Sequence, residues 1–174
     1  GPPFTLHAAF STAEASLPYN EGIVSLSGSG ASNVAVILMT TAFNVQFNAT
    51  DTGGASMNIA TAGGGFNDGR LHWAEAIARS LSSWELYVDG RLIGTSSGNL
   101  AAGFAWTKTL IGEDSINNGQ AFKGVIYAAG IWPRVLSGGF NQPYAFLRYR
   151  PAISFGFMRT RTQAAAASSG CPPF

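Results

Sequence analysis

Two histidines, nine acids and one cysteine are what this 174-residue chain offers to acid–base, metal or nucleophilic chemistry. His7 and His72 stand far apart, and neither belongs to an H-E-x-x-H or H-x-H pattern that would mark a metal site. A packed or rim histidine is the plainer reading, above all for His72 beside Trp73. Serines are frequent, but no G-x-S-x-G elbow occurs. Cys171 lies in a Pro-rich tail without the fixed neighbouring base that a thiol nucleophile needs. One cysteine also excludes an intrachain disulfide framework and a Cys-cluster zinc site. A retaining glycosidase needs two carboxylates about 5–5.5 Å apart. No E-x-D-x-E strand supplies them, and the adjacent Glu113 and Asp114 would point to opposite faces of a strand. A catalytic pair would have to be drawn from distant acids such as Glu75, Glu85 and Glu113. The expectation is a non-catalytic protein.

Binding chemistry is better represented. Sugars stack their apolar faces on exposed rings, and Trp106 and Tyr19 lie in loop-like contexts, which makes them the glycan-binding candidates. Trp84 and Trp132 sit in β-rich runs and are expected in the core. For Trp106 the competing reading is a ring buried under a loop or at a subunit contact. The stretch from Gly112 to Gly119 gathers oxygen donors in Glu113, Asp114, Asn117 and Asn118, with Asp51 and Asp68 elsewhere. The same composition equally makes an ordinary solvated turn, and Asp89 is read as a turn residue rather than a ligand. Arg148, Arg150, Arg159 and Arg161 cluster late and suit contacts to a partner's acidic surface. A net charge of +1 gives no sign of the basic footprint of nucleic-acid binding. Only 11% of residues are charged while 46% are hydrophobic, against a typical charged share of roughly 25%. That balance suits a subunit packed against copies of itself or against other subunits.

These residues need a scaffold, and the chain reads as an all-β one. The 22 glycines follow no period and mark turns between short β-rich runs: Ile23 to Leu26, Val34 to Met39, Phe43 to Phe47, Trp84 to Val88, Arg91 to Gly94 and Val125 to Trp132. Asp89-Gly90 between two apolar runs predicts a type I′ hairpin, because both central residues must take positive φ. Trp84, Leu86 and Val88 then point inward, with Leu92 expected to return on their face. Val34 to Met39 is continuously apolar and fits a strand buried on both faces; at six residues it is far short of the roughly 20 needed to span a bilayer. The stretch from Leu71 to Leu81 reads equally as helix or as Ala-rich strand. Phe140 to Tyr149 is a short helix or turn candidate, and Ile153 to Phe157 a closing strand. One domain over 1–158 is expected, followed by a tail or linker over 159–174. The start, Gly1-Pro2-Pro3-Phe4, has neither an initiator Met nor the pattern of a signal peptide, the expectation for a processed product or a piece of a longer chain.

An ordered succession carries a family likeness: Arg70-Leu71-His72-Trp73, then Trp84 to Gly90, then Leu110-Ile111-Gly112, then Phe122-Lys123-Gly124-Val125-Ile126-Tyr127, then Ile131 to Ser137. It resembles the second half of a concanavalin A-like jelly roll of the laminin G or pentraxin type, and Phe4-Thr5-Leu6 and Gly22 to Leu26 resemble earlier strands. The resemblance implies a two-sheet antiparallel jelly-roll sandwich. It also implies Ca²⁺ at one rim, for which Glu113, Asp114, Asn117 and Asn118 would be the donors. The family usually opens with a strand before Phe4-Thr5-Leu6, which this chain lacks; Ile153 to Phe157 is one candidate to supply it. Gln142-Pro143-Tyr144-Ala145-Phe146-Leu147 followed by Arg150-Pro151 resembles the C-terminal segment of members found in phage particles. Two functions are therefore expected. The first is a structural subunit of a multi-subunit particle, such as a phage capsid decoration or tail component. The alternative is a carbohydrate-binding adhesion module, with or without calcium. Either places the chain on a virion surface or outside the cell.

Overall fold

The computed structural model describes residues 1–28, 33–113, 121–136 and the strand backbone of 153–159. The regular elements among them are eleven strands. Strands β1 (Phe4–Ser11), β6 (His72–Ser80), β7 (Ser83–Val88), β8 (Arg91–Ser96), β10 (Val125–Trp132) and β11 (Ile153–Arg159) form one sheet, in the order β11-β10-β1-β6-β7-β8. Strands β2 (Glu21–Ser27), β3 (Val34–Met39), β4 (Val45–Thr50), β5 (Ser56–Ala60) and β9 (Lys108–Ile111) form the other, in the order β5-β4-β3-β2-β9. Every ladder is antiparallel. The two sheets pack face to face as the jelly-roll sandwich that the resemblance implies.

Alternation decides which side chains fill the space between them. Phe4, Leu6, Ala8 and Phe10 of β1 meet Val45, Phe47 and Ala49 of β4 and Trp84, Leu86 and Val88 of β7 in one apolar cluster. The central strands are buried on both faces. In β3, Ala35, Ile37 and Met39 join that cluster, while Val34, Val36 and Leu38 form a second, separate one. In β1 the outward set, Thr5, His7 and Ala9, is as buried as the inward one. Thr5 is held by the segment after β10: its Oγ1 donates to the Arg134 carbonyl at 3.0 Å and accepts from the Leu136 amide at 3.1 Å.

Two local expectations are revised and one open choice is settled. The ambiguous stretch from Leu71 is strand β6, with Ala74, Ala76 and Ala78 inward. Its four-residue repeat misleads because four is also a multiple of the strand period of two. Phe43 is not in β4. A turn over 40–44 (the Thr40 amide to the Asn44 carbonyl, the Phe43 amide to the Thr40 carbonyl) sets Phe43 at φ 58, and β4 begins at Val45. The hairpin turn forms as expected, with Asp89 at φ 50 and Gly90 at φ 76, but Leu92 does not return inward. A two-residue turn pairs Val88 with Arg91 and Tyr87 with Leu92, so Leu92 takes the outward parity of Tyr87 and is 47% exposed. Arg159 ends β11, opposite Val125. The segment 140–149 and the tail from 160 lie outside the described residues.

Trp84 ties the layers together. It is fully buried, its ring lies about 6 Å from those of Phe4, Phe47 and Phe104, and its Nε1 donates to the Gly98 carbonyl at 2.9 Å. Replacing it with Ala removes ring and bond together and is expected to cost about 3–5 kcal/mol. Trp84→Phe keeps most of the packing but orphans the Gly98 carbonyl, for about 1–3 kcal/mol. Guanidinium unfolding of the two variants should rank them in that order.

Candidate functional site

Antiparallel pairing sorts the loops into two ends. Tyr19, the 40–44 turn, the 61–71 loop, the 89–90 turn and Glu113 gather at one end, where Phe10 pairs with His72 and Glu21 with Met39. Asn33, the 51–55 turn and the loop carrying Trp106 gather at the other, where the Thr107 amide donates to the Ser27 carbonyl. Tyr19 and Trp106 are thus separated by the length of β2, about 23 Å for seven residues at 3.3 Å each, and do not share a site. Tyr19 is 57% exposed. The Trp106 ring is half-buried against Phe104 at 4.5 Å and Phe4 at 5.0 Å, and its Nε1 is buried without an acceptor. Its loop is stapled by Asn33, whose amide donates to the Ala105 carbonyl at 2.8 Å and accepts from the Ala105 amide at 2.9 Å. This ring packs at the edge of the core and is part-exposed.

The oxygen donors are also dispersed. Asp51 is buried at the Trp106 end, where its carboxylate accepts from the amides of Gly53, Ala55 and Ala102. That is a turn staple with no oxygen to spare. Glu113 is exposed at the opposite end, and its main-chain carbonyl accepts a long bond from the Ser25 hydroxyl. Asp114, Asn117 and Asn118, like Arg148, Arg150 and Arg161, lie outside the described residues. Among the described residues no three His, Cys, Asp or Glu side chains are placed to hold a metal ion.

The Tyr19 end holds a constellation that sequence reading passed over. His72 enters at the first position of β6 with the inward parity of Ala74, over Phe10. Its Nδ1 lies 2.9 Å from Asp89 Oδ2 and its Nε2 3.0 Å from Asp68 Oδ1. Asp89 Oδ1 also accepts from the Trp73 amide at 2.9 Å, so the turn residue is an anchor as well. Asp68 accepts from the Arg70 amide at 2.8 Å, and the Arg70 guanidinium stands 3.6 Å away. Those bonds, the Arg70 amide first and the His72 ring second, hold the Asp68 carboxyl below its usual value of 3.8. The imidazole therefore bolts the 61–71 loop to the 89–90 turn. Asp68 and His72 are separated by four residues, but Asp89 reaches them only because β6 and β7 pair.

Beside this bolt a cleft of about 330 Å³ opens, lined by Thr61, Gly63, Gly64, Phe66, Arg91 and Leu92 among others. It lies where the edge strands of both sheets, β5 and β8, come together. Phe66 links the two features, its ring meeting that of His72 edge-on at 5.0 Å. The loop fits closely on the 40–44 turn: a Cβ at Gly64 would collide with the Ala42 carbonyl oxygen. A Cβ at Gly63 would meet nothing within 4 Å.

Two of the acids considered for hydrolysis sit elsewhere. Glu75 and Glu85 lie on the outer face of the six-stranded sheet, opposite Tyr87 and Ile77 respectively. Glu85 is held by Arg79 at 2.6 and 3.0 Å and by the Tyr87 hydroxyl at 3.1 Å. The Arg79 bond, ahead of the others, keeps its carboxyl below the usual carboxylate range, the opposite of what a general acid needs. Glu75 is buried across from His7, whose ring lies beside those of Trp73 and Trp132; burial lowers His7 to about 4. Trp132 is buried as expected, though on this outer face, opposite Thr5, rather than between the sheets.

Residues 3–139 match the family model of the concanavalin A-like lectin/glucanases superfamily. The chain belongs to that superfamily. Within it, this lectin-like sandwich is similar to the CBM40 domain of the Ruminococcus gnavus IT-sialidase, solved with α2,3-sialyllactose, at a TM-score of 0.59 and 13% identity over 77% of both chains. It is similar to the heptameric SAP-like pentraxin of Limulus polyphemus at a TM-score of 0.57 and 12% identity, over 77% of this chain and 65% of that one. The binding domain of botulinum neurotoxin DC, solved with SialylT, matches at a TM-score of 0.56 and 13% identity, over 77% of this chain and 32% of that one. At these identities the likeness is one of fold. No curated protein sequence matches the chain.

The bolt of this lectin-like sandwich has a signature in acid. A depressed carboxyl contributes above its unfolded pKa and loses that contribution as the pH falls through its folded one. The Asp68 carboxyl should therefore titrate below 3.8 by ¹³C NMR. In His72→Ala its midpoint should rise toward that value, and amide exchange over 61–71 and 89–90 should accelerate.

Proposed function

We propose that the chain is a non-catalytic carbohydrate-binding module that takes a glycan in the cleft between the 61–66 segment and the start of β8. The observation that carries this is the cleft itself. Its volume of about 330 Å³ falls in the range of about 300–1,000 Å³ usual for small-ligand sites. Its walls offer an apolar side (Phe66, Leu92, Ile93), a guanidinium (Arg91) and glycine backbone, the mixture that a sugar with one apolar face and a hydroxyl rim requires. Phe66 is held by a bolted scaffold rather than by a free loop, which keeps the ordering cost of binding low. Two of the similar folds were solved with sialylated ligands, which supports glycan binding over the particle-subunit reading. A glycan-binding role places the chain where glycans are, on a cell or particle surface or outside the cell.

The test is a panel of immobilised glycans probed with the purified chain and with Gly63→Trp. The indole has open space to enter and should fill the cleft without unfolding the protein, which a thermal melt would check. Wild type should bind at least one glycan, and Gly63→Trp should lose about tenfold or more, equivalent to 1.4 kcal/mol. A wild type that binds no glycan overturns the reading. A Gly63→Trp chain that binds like wild type moves the site away from the cleft. Binding should be equal in calcium and in EDTA; loss in EDTA would bring the loop that starts at Glu113 into the site.

A further inference from the structure

Charge around the cleft is distributed unevenly. Besides His72, the charged side chains described around the cleft and its bolt include Asp68, Arg70, Asp89 and Arg91. Both carboxylates are already engaged. Asp89 serves the His72 ring and the Trp73 amide, and Asp68 serves the His72 ring, the Arg70 amide and the Arg70 guanidinium. Arg91 lies only two residues beyond Asp89, yet forms no ion pair with any described residue. It is also the one arginine that lines the cleft. The result is a guanidinium without an ion-pair partner among the described residues, in a concave, partly apolar site.

We propose that the cleft selects sugars bearing a carboxylate, with Arg91 as the counter-ion. This rests on the cleft being the glycan site. A guanidinium presents two parallel N–H donors that match the two oxygens of a carboxylate, so the pair is directional as well as attractive. Leu92 and Phe66 flank that contact and take the apolar face of the sugar ring, and the low-dielectric wall strengthens the charge pair relative to open water. A neutral sugar would cover the guanidinium without replacing its water, so the site discriminates by penalty as well as by attraction. The His72 bolt has a part in this. By occupying Asp68 and Asp89 it keeps the cleft's cation available to a ligand.

The experiment compares matched pairs differing by one carboxylated sugar: lactose against sialyllactose, and cellobiose against its glucuronate-terminated counterpart. Each is titrated into wild type, Arg91→Ala and Arg91→Lys at low and at raised ionic strength, with thermal melts confirming that the variants fold. Wild type should favour the acidic member of at least one pair by about tenfold or more, as a charge-assisted hydrogen bond supplies. Arg91→Ala should bring that member down to the level of the neutral one, and Arg91→Lys should fall between, having lost the two-pronged geometry. Raised salt should narrow the preference. Equal binding of acidic and neutral members by wild type, or a preference that survives in Arg91→Ala, overturns the proposal and leaves glycan binding standing. Absence of binding to these pairs and to the whole glycan panel overturns both.

Discussion

Everything in this molecule hangs on the pairing of β1 with strands far from it in sequence. The N-terminal strand lies between β6 and β10 at the centre of the six-stranded sheet, aligning Phe4 with Ala78 and Thr5 with Trp132. The partners lie well beyond it in sequence, β6 at His72–Ser80 and β10 at Val125–Trp132, so the sheet is closed by contacts of high sequence separation, whose loop-closure cost is met before any of them stabilises the fold. The strand is suited to that place because both of its faces find cover. Phe4, Leu6 and Phe10 fill the core, and Thr5 is hydrogen-bonded by the segment that follows β10. Without β1, β6–β8 and β10 would be two separate pieces with exposed edges.

From that pairing follows the geometry of the loop end. The β1–β6 register sets Phe10 opposite His72, and the β6–β7 register sets Ala74 opposite Val88, so Asp89 arrives beside the first residues of β6. His72 then has a carboxylate at each ring nitrogen. Two separate loops become one rigid rim, and Phe66 is packed against the same ring. Rigid rims on a rigid sandwich are how this architecture varies its ligands while keeping its core. The opposite end is built on the same physics with different residues. Asn33 and Asp51 satisfy the amides of neighbouring loops.

How much of this was legible depended on the range of the interaction. The β7–β8 hairpin is local, and its sequence specifies it: Trp84, Leu86 and Val88 alternate and Asp89-Gly90 supplies the turn. The face of Leu92 was misassigned because a two-residue turn places it opposite Tyr87 rather than opposite an inward residue. Strand β5, with Met57 and Ile59 inward and only five residues long, is too short and too polar to stand out. Trp106 shows the limit for single residues. A tryptophan in a loop reads as available, yet its ring packs on Phe104 of its own loop and on Phe4 of β1, and no local pattern encodes that second meeting.

By itself the sequence determined the class of fold, most strand positions and the family succession from Arg70 to Ser137, because alternation, turn residues and apolar runs act over a few residues and are written in order along the chain. It also set the chemical inventory, poor in charge and poor in catalytic groups. Only the tertiary structure decided which of those groups meet. It separated Tyr19 from Trp106 by the length of a strand, committed Asp51 to a turn, and brought Asp68 and Asp89 to the two nitrogens of His72. It left Arg91 facing a cleft formed where the edges of two different sheets approach. The physical reason is that a binding site is an arrangement of side chains in space, and in an antiparallel sandwich that arrangement is set by long-range register, which no local stretch of sequence specifies.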